Sequence, residues 1–449
     1  MRAQDITSGR GTSHRFPAAK GDHGMPKSLF PISPLALVIG IWTLTVAIAV
    51  LPFAFPDTFD IAAYLLGRQG LTSDDFTPLA TYWLIVAFLV FVIATATTMV
   101  ALPRPQDFET DTDFDRAARI TFIVNTLFVG ITLLWVALSA MKLGGFRAML
   151  ILVQLDALEA REQLLDNKLF TGMRVIYASL PASGALAATL LAAGRKTGKL
   201  SFHARKLCLI SFLTNLVLLI FLPMVMSQRL LLLQLIMAAY FSVCLVHRRL
   251  VGLQYVPIGL ALFMVTWIGR ESLTNATIQG SALNIGVQKL IFYFSNDLLN
   301  SFMPLNAEFE HTYGFFSLKF LIYFTQTDEF FGQLLETQLI SIDSVRGGGA
   351  WSIFTMPYVD FGAIGAAVYI AILAAISTVV FYKGTQNVFW ASAYGQFAGA
   401  YVLCTHTMYF ANANFVAMIL VIALIGGLSG RTSSAGSPDV AHVEVPPVV

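Results

Sequence analysis

Three arginines of this chain lie where hydrophilic segments meet long apolar segments: Arg229, Arg270 and Arg346. A guanidinium group presents a rigid fork of donors that matches the oxygens of a phosphate bidentately. The position of the three residues therefore favours an anion site at the ends of the apolar segments, suited to a lipid diphosphate. The alternative is that each arginine pairs with a lipid headgroup or with an acid of its own segment.

The segment that follows Arg346 begins with three consecutive glycines, Gly347, Gly348 and Gly349. Glycine adopts left-handed backbone conformations at little steric cost, and its N–H groups can approach an anion closely. We therefore expect this turn to form a clamp over an anionic ligand ahead of the apolar segment Phe361–Tyr382. The alternative is an ordinary connector that leads into a helix.

A base for the same site would come from nearby carboxylates and an imidazole. His311 is the one histidine between residues 269 and 356, and Glu308 and Glu310 precede it. Asp360 lies at the start of the next apolar segment, where the dipole of a helix also favours a carboxylate as a cap. His311, Glu308, Glu310 and Asp360 are thus the candidate catalytic residues. An incidental loop histidine is the alternative for His311.

Motifs of several other activities are absent from the chain. It contains no Gly-x-x-x-x-Gly-Lys, no His-Glu-x-x-His and no Gly-x-Ser-x-Gly, which argues against an ATP-driven pump and against the common hydrolases. Cys208, Cys244 and Cys404 lie far apart in apolar segments without metal-ligand spacing, so we expect buried side chains and neither metal nor cofactor. His406 lies inside an apolar segment, as either a functional or a packing histidine.

The composition identifies an integral membrane protein. Of the 449 residues, 56% are hydrophobic and 12% are charged, with a mean hydropathy of +0.71, whereas a soluble domain carries about 25% charged residues. The net charge of +2 offers no basic face for nucleic acid. Since about 20 apolar residues cross a bilayer as a helix, we predict an all-α polytopic fold with about ten transmembrane helices. They are centred on 35–55, 79–101, 120–141, 175–194, 207–226, 230–246, 251–268, 361–382, 389–409 and 413–429.

The distribution of Lys and Arg predicts the orientation of these helices. With a cytoplasmic N-terminus, the inside segments collect about 17 of the 28 Lys and Arg residues. Both termini are then cytoplasmic, and we expect disordered tails at residues 1–30 and 431–449 around a transmembrane domain of residues 31–430. Residues 142–171 and one large loop, 269–356, lie outside. Asn residues predict a turn at Ala411-Asn-Ala-Asn414, between the last two helices.

Both outside segments are predicted to form helices of their own. The apolar stripe Phe146, Leu150 and Val153 leads into a charged helix, which is typical of a helix on a membrane surface. In the large loop, which holds eight acidic residues, apolar residues recur at helical spacing over Gly286–Phe302 and predict an amphipathic helix. A loop this rich in helices is more than a connector.

Part of this pattern resembles the Wzy-type polymerases of oligosaccharide repeat units. In that family a glycine-rich turn and a threonine precede an aromatic-Asp-Phe-Gly-x-x-Gly helix start. The matching residues here are Gly347, Gly348, Gly349, Thr355, Tyr358, Asp360, Phe361, Gly362 and Gly365. The turn Ser227-Gln-Arg229 before a leucine-rich segment is similar to a second pattern of the family. The Arg-x₁₀-Gly pattern of some members is absent, because Ser281 and Pro357 stand where it requires glycine.

The resemblance implies a membrane glycosyltransferase that polymerises undecaprenyl-diphosphate-linked oligosaccharide repeat units into O-antigen or exopolysaccharide, at the outer face of the bacterial inner membrane. Under it, the substrate-binding residues are Arg229, Arg270, Arg346, Gly347, Gly348, Gly349, Thr355 and Tyr358. Its partners would be membrane lipids, a chain-length regulator and a flippase. Two alternatives stay open: an O-antigen ligase-like transferase and a lipid-linked oligosaccharide flippase or transporter. A flippase is expected to bury charged residues along its path and to have similar halves, and this sequence has neither feature.

Overall fold

The structure, a computed structural model, describes residues 27–103, 106–109, 111–155, 157–167, 169–170, 172–226, 230–274, 281–307, 310–345 and 351–430. Within these ranges the chain forms nineteen α-helices and five short 3-10 helices, and no β-strand. The predicted all-α class is therefore confirmed. The predicted tails lie almost wholly outside the described residues.

The helices in chain order are α1 (Pro34–Ala49), α2 (Leu51–Ala54), α3 (Asp60–Arg68), α4 (Pro78–Ala101), α5 (Phe114–Lys142), α6 (Phe146–Leu155), α7 (Ala157–Asp166), α8 (Met173–Ala178), α9 (Leu180–Thr197), α10 (Phe202–Met226), α11 (Leu230–His247), α12 (Val256–Thr274), α13 (Ala282–Phe302), α14 (Lys319–Thr325), α15 (Asp328–Leu334), α16 (Glu336–Val345), α17 (Met356–Gly384), α18 (Val388–Val402) and α19 (Ala413–Ser429). The 3-10 helices are Lys27–Ile32, Ser73–Asp75, Leu253–Tyr255, Met303–Asn306 and Tyr409–Ala411.

Seven helical segments among the described residues are long and apolar enough to cross a membrane. They match seven of the ten predicted spans. Their bounds are Pro34–Ala54, Pro78–Ala101, Phe114–Lys142, Met173–Thr197, Phe202–Leu222, Leu230–His247 and Met356–Gly384. The other three predicted spans are also helical, but their apolar helical segments are shorter than 18 residues. The first is Leu253–Gly269, which comprises the 3-10 helix Leu253–Tyr255 and most of α12, and the second is Ala413–Ser429, which is α19. The third, α18, has 15 residues.

The predicted span 389–409 extends too far at its C-terminal end. α18 ends at Val402, and a turn follows in which the N–H groups of His406 and Thr407 both donate to the carbonyl of Leu403 at 3.0 Å. Polar side chains of this turn bond to other helices. A continuous apolar run in the sequence does not reveal such an interruption.

The predicted turn before the last helix is confirmed. The side chain of Asn412 accepts a hydrogen bond from the N–H of Asn414 at 3.0 Å and caps α19. Asparagine is among the residues preferred at this position, because its side-chain oxygen satisfies a free N–H of the first helical turn.

One end of the helical bundle, here termed the loop end, is organised by the segment 351–356. The indole Nε1 of Trp83, near the start of α4, donates to the carbonyl of Phe354 at 3.1 Å. The ring of Trp42, from α1, stacks on the Phe354 ring with centroids 5.1 Å apart. The start of α17 is thereby fixed between α1 and α4.

The opposite end, here termed the basic end, is tied together by cationic side chains. Arg248 Nε donates to the carbonyl of Thr385 at 3.1 Å, and Lys196 Nζ donates to the carbonyl of Val246 at 2.6 Å. These cations connect the ends of α9, α11 and α17. Their concentration at one end is the basis for predicting this face as cytoplasmic, which stays a prediction.

Small residues let the central helices α11 and α18 approach closely. A Cβ on Gly395 of α18 would lie 2.4 Å from the carbonyl oxygen of Ala238 of α11, so only glycine fits there. Cys208, Cys244 and Cys404 are buried free thiols, as predicted.

The predicted amphipathic helix Gly286–Phe302 is α13, which begins at Ala282 behind a Ser281 cap. It packs against α1, α3 and α12, and Ser295 Oγ donates to the carbonyl of Ala49 at 3.0 Å. The apolar spacing predicted a buried face made of apolar side chains, but the buried surface of α13 also contains many polar side chains. The buried polar residues are Gln288, Ser295, Asn296, Asp297, Asn300 and Ser301. α13 therefore packs into the loop end of the bundle through hydrogen bonds as well as apolar contacts.

The predicted surface segment 142–171 contains α6 and α7. In α6, Val153 and Met149 are buried, whereas Phe146 and Leu150 are 58% and 40% exposed. Since residues four apart share a helix face, Met149 and Val153 define the face that packs against the protein. Exposed apolar residues are what a membrane-surface helix requires, and that location stays a prediction.

Candidate functional site

Helix α17 is broken near its start, at Gly362. This residue has φ 66° and ψ −174°, which is not helical and which glycine alone adopts without strain. The imidazole of His311 lies over the break: a Cβ on Gly362 would be 2.8 Å from His311 Nε2. The break therefore changes the direction of the chain, and the absence of a side chain at Gly362 leaves room for the imidazole of His311.

Asp360, two residues before the break, is fully buried. Its carboxylate accepts hydrogen bonds from the hydroxyl of Thr312 and from the N–H groups of Phe316 and Ser317. Its carbonyl accepts from the N–H of Tyr313 at 2.9 Å. The prediction that Asp360 caps its own helix is wrong, because its carboxylate binds donors of the facing loop, Thr312, Phe316 and Ser317. These bonds fix the loop of residues 312–317 against the start of α17, so the role of Asp360 that they indicate is structural.

His311 and Tyr358, two further predicted residues, meet at the same junction. His311 Nδ1 lies 3.2 Å from the carbonyl oxygen of Val359, and its ring meets the Tyr358 ring edge-on with centroids 6.3 Å apart. Glu310 is exposed, and its carboxylate accepts a 3.0 Å hydrogen bond from Gln338 Nε2. The structure thus brings together His311, Tyr358 and Asp360 at the start of α17.

Thr355 is buried and joins two helices. Its hydroxyl donates to the carbonyl of Ser301, at the end of α13, at 3.0 Å. The N–H of Ser352 donates to Ser301 Oγ, also at 3.0 Å. These bonds make Thr355 a brace between α13 and α17, and they place it away from any open surface.

A cavity of about 330 Å³ lies at the loop end beside this junction. Two cationic residues line it, Arg174 at the start of α8 and Lys319 at the start of α14. The N-terminal end of α19, with its cap Asn412, also lines it. A helix N-terminus carries partial positive charge. The lining of the cavity is therefore electropositive, which favours an anionic group.

The remaining predicted residues can be placed only in part. Arg229, Glu308, Arg346, Gly347, Gly348 and Gly349 lie outside the described residues. Arg270 belongs to α12, and its side chain is likewise outside them. Trp351, the second residue after the glycines, lines the cavity; the clamp itself stays a prediction.

Arg174 and Lys319 were not among the predicted site residues. Arg174 precedes the predicted span 175–194, at the same kind of boundary as the three arginines singled out from the sequence. The same criterion would have found it. Lys319 begins a short apolar run, and nothing in that pattern sets it apart from a surface lysine.

A second polar cluster lies where α13 meets the turn after α18. Asp297 Oδ2 is hydrogen-bonded to His406 Nδ1, and the two side chains are 7% and 34% exposed. Next to it, the hydroxyls of Thr45 and Thr405 are 3.0 Å apart. Burial raises the pKa of the Asp297 carboxyl, and the His406 imidazole opposes that shift. His406 therefore lies in a turn with an acidic partner and not within a helix.

Within the described ranges, no group of three or more His, Cys, Asp or Glu side chains is arranged to hold a metal ion. Comparison with protein families, with curated proteins and with solved structures returns no match to this chain.

Proposed function

We propose that this protein is a membrane glycosyltransferase that polymerises undecaprenyl-diphosphate-linked oligosaccharide repeat units, at the outer face of a bacterial inner membrane. The observation that carries the proposal is the cavity lined by Arg174, Lys319 and the N-terminal end of α19, at the loop end of a bundle of membrane-crossing helices. The motif resemblance around residues 347–365 supports the same activity.

The chemistry of this reaction suits the groups that are present. A glycan attached to a lipid diphosphate already carries a good leaving group, so the enzyme must stabilise the charge that develops on the diphosphate. Arginine offers a bidentate fork for phosphate oxygens, and lysine offers a mobile point charge. A base must also activate one sugar hydroxyl. A nucleotide is not required.

The surroundings of the cavity suit a lipid-linked substrate. Its volume of about 330 Å³ lies at the lower end of the range for small-molecule sites, about 300–1,000 Å³, which is enough for a diphosphate and adjoining groups. Helices α14 and α15 beside it expose large apolar side chains, including Leu321, Phe324, Phe330 and Leu334. Such a surface favours contact with a membrane, from which a polyprenyl chain would approach.

The test is a glycan profile in a deletion strain complemented with variants. Arg174→Gln combined with Lys319→Gln should lose long-chain product and leave single repeats on the acceptor. Arg147→Gln is the matched control, because Arg147 is exposed on α6 at the same end and does not line the cavity. Unchanged chain length in the double variant would remove the cavity from the reaction. An uncapped acceptor with accumulated lipid-linked polymer would instead identify a ligase.

Reporter fusions test the orientation on which the proposal depends. Fusions at Thr197 and Gln386, at the basic end, should report a cytoplasmic location. A fusion at Gln333 in α15, at the loop end, should report an external one. A cytoplasmic signal at Gln333 would place the cavity on the wrong face for an acceptor presented outside.

A further inference from the structure

The pair formed by Asp297 and His406 has the geometry of an oriented base. The carboxylate contacts Nδ1 of the ring, as an acidic partner does when it fixes the tautomer and orientation of a catalytic imidazole. The carboxylate is almost fully buried, whereas a third of the imidazole surface is exposed. Asp297 is thus in the interior of the protein, and the imidazole of His406 is partly accessible at the surface.

The pair is held in a rigid setting. The N–H of Ile353 donates to the carbonyl of Cys404 at 3.0 Å, which joins the turn of His406 to the segment 351–356. Asp297 itself is part of the regular helix α13. The imidazole is therefore held between a helix and a turn that is tied to the segment 351–356, which limits its reorganisation on accepting a proton.

The position of the pair relates it to the anion site. Thr407 and Met408, the two residues that follow His406, line the basic cavity. A diphosphate held by Arg174 and Lys319 would therefore lie beside the turn that carries the imidazole. His406 itself does not line the cavity, but the turn that carries it does, so the imidazole is one residue along the chain from the cavity wall.

The described contacts of His311 are with the start of α17. Its Nδ1 lies 3.2 Å from the carbonyl oxygen of Val359, and its ring lies beside Gly362. These contacts tie the loop that precedes α14 to the start of α17.

We infer that His406 is the base that activates the acceptor sugar hydroxyl and that Asp297 is its positioning residue; the inference rests on the proposed function. The imidazole takes the hydroxyl proton while the hydroxyl oxygen forms a bond to the anomeric carbon of the donor. The bond between that carbon and the diphosphate oxygen breaks, and the diphosphate leaves with the electron pair. The proton then passes from the imidazolium to water.

The experiment uses purified full-length protein with a lipid-diphosphate-linked oligosaccharide. His406→Gln should lower kcat by about 10²–10⁴-fold, the range for loss of a general base, with KM and melting temperature near those of the unchanged protein. His203→Gln is the control, since His203 is exposed at the basic end. Added imidazole should restore part of the activity of His406→Gly, which a purely structural role would not allow.

Asp297→Asn tests the positioning role. It should lower kcat and leave KM unchanged, because the amide occupies the same space but does not stabilise the protonated ring. If His406→Gln polymerises at the unchanged rate, or if it loses only melting temperature and abundance, the pair is a structural brace and the inference is overturned. Failure of the unchanged protein to polymerise would instead remove the proposed function itself, so the two failures are distinguishable.

Discussion

Two polar junctions at the loop end use the same residue types, a carboxylate and a histidine, in different ways. At the start of α17, the carboxylate of Asp360 is occupied by two backbone N–H groups and a hydroxyl, and His311 rests on Gly362. At the end of α13, Asp297 bonds directly to the imidazole of His406. A carboxylate filled by backbone donors fixes a loop, whereas one whose partner titrates can support proton transfer.

The largest expected effect on stability comes from removing the carboxylate at the first junction. Asp360→Ala leaves two buried donors and one partly buried donor without their acceptor, at about 1–3 kcal/mol for each buried donor, so we expect a loss of about 3 kcal/mol or more. The measurement is the melting temperature in detergent together with abundance in the membrane. Asp57→Ala, at an exposed aspartate of the same end, should change neither. A stable but inactive Asp360→Ala protein would show that Asp360 takes part in the reaction. It would contradict the assignment of a purely structural role to the junction at the start of α17.

A smaller loss of stability is expected from substitutions of Gly362, the residue against which His311 lies. Gly362→Ala forces a side chain into a left-handed conformation and against His311 Nε2, which costs about 1–3 kcal/mol. Gly362→Leu should cost more and lower the protein level. The matched control is Gly130→Ala in α5, where a Cβ meets nothing within 4 Å and where alanine gains up to about 1 kcal/mol in a helix. Equal melting temperatures for the two alanine variants would contradict the described break in α17.

The smallest effect is expected at the brace between the two junctions. Thr355→Val removes the hydroxyl bonded to the carbonyl of Ser301, at about 1 kcal/mol. Thr126→Val is the control, because the Thr126 hydroxyl donates within α5 and is exposed. A modest fall in melting temperature with long-chain product retained fits a brace. Loss of product at an unchanged melting temperature would favour the substrate contact that the family resemblance implies.

The sequence was sufficient for most of the helices and for some of their ends. A long uncharged apolar run has few structural options in a membrane other than a helix, because its backbone groups must be satisfied internally. The turn preference of Asn predicted the break before α19, where Asn412 is the N-cap. The end of α18 at Val402 was missed, since hydrogen bonds formed by the turn residues after it, and not their hydropathy, interrupt that helix.

The site was harder to predict, because its contacts join distant parts of the chain. Asp297 and His406 are 109 positions apart, and each alone resembles an ordinary loop acid or packing histidine. The carboxylate of Asp360 bonds to residues more than 40 positions earlier. Residue type and location singled out His311 and Asp360, and the family resemblance added Tyr358, but the partner that each side chain bonds to depends on tertiary packing.

The interruption between α18 and α19 places two helix ends of opposite polarity at the loop end. The C-terminal end of α18 carries partial negative charge next to the turn that holds His406, and the N-terminal end of α19 carries partial positive charge at the cavity. The first end favours a cation, such as an imidazolium, and the second favours an anion, such as a departing diphosphate. In the proposed reaction, the backbone dipoles of these two helix ends would favour the proton at one end and the leaving group at the other.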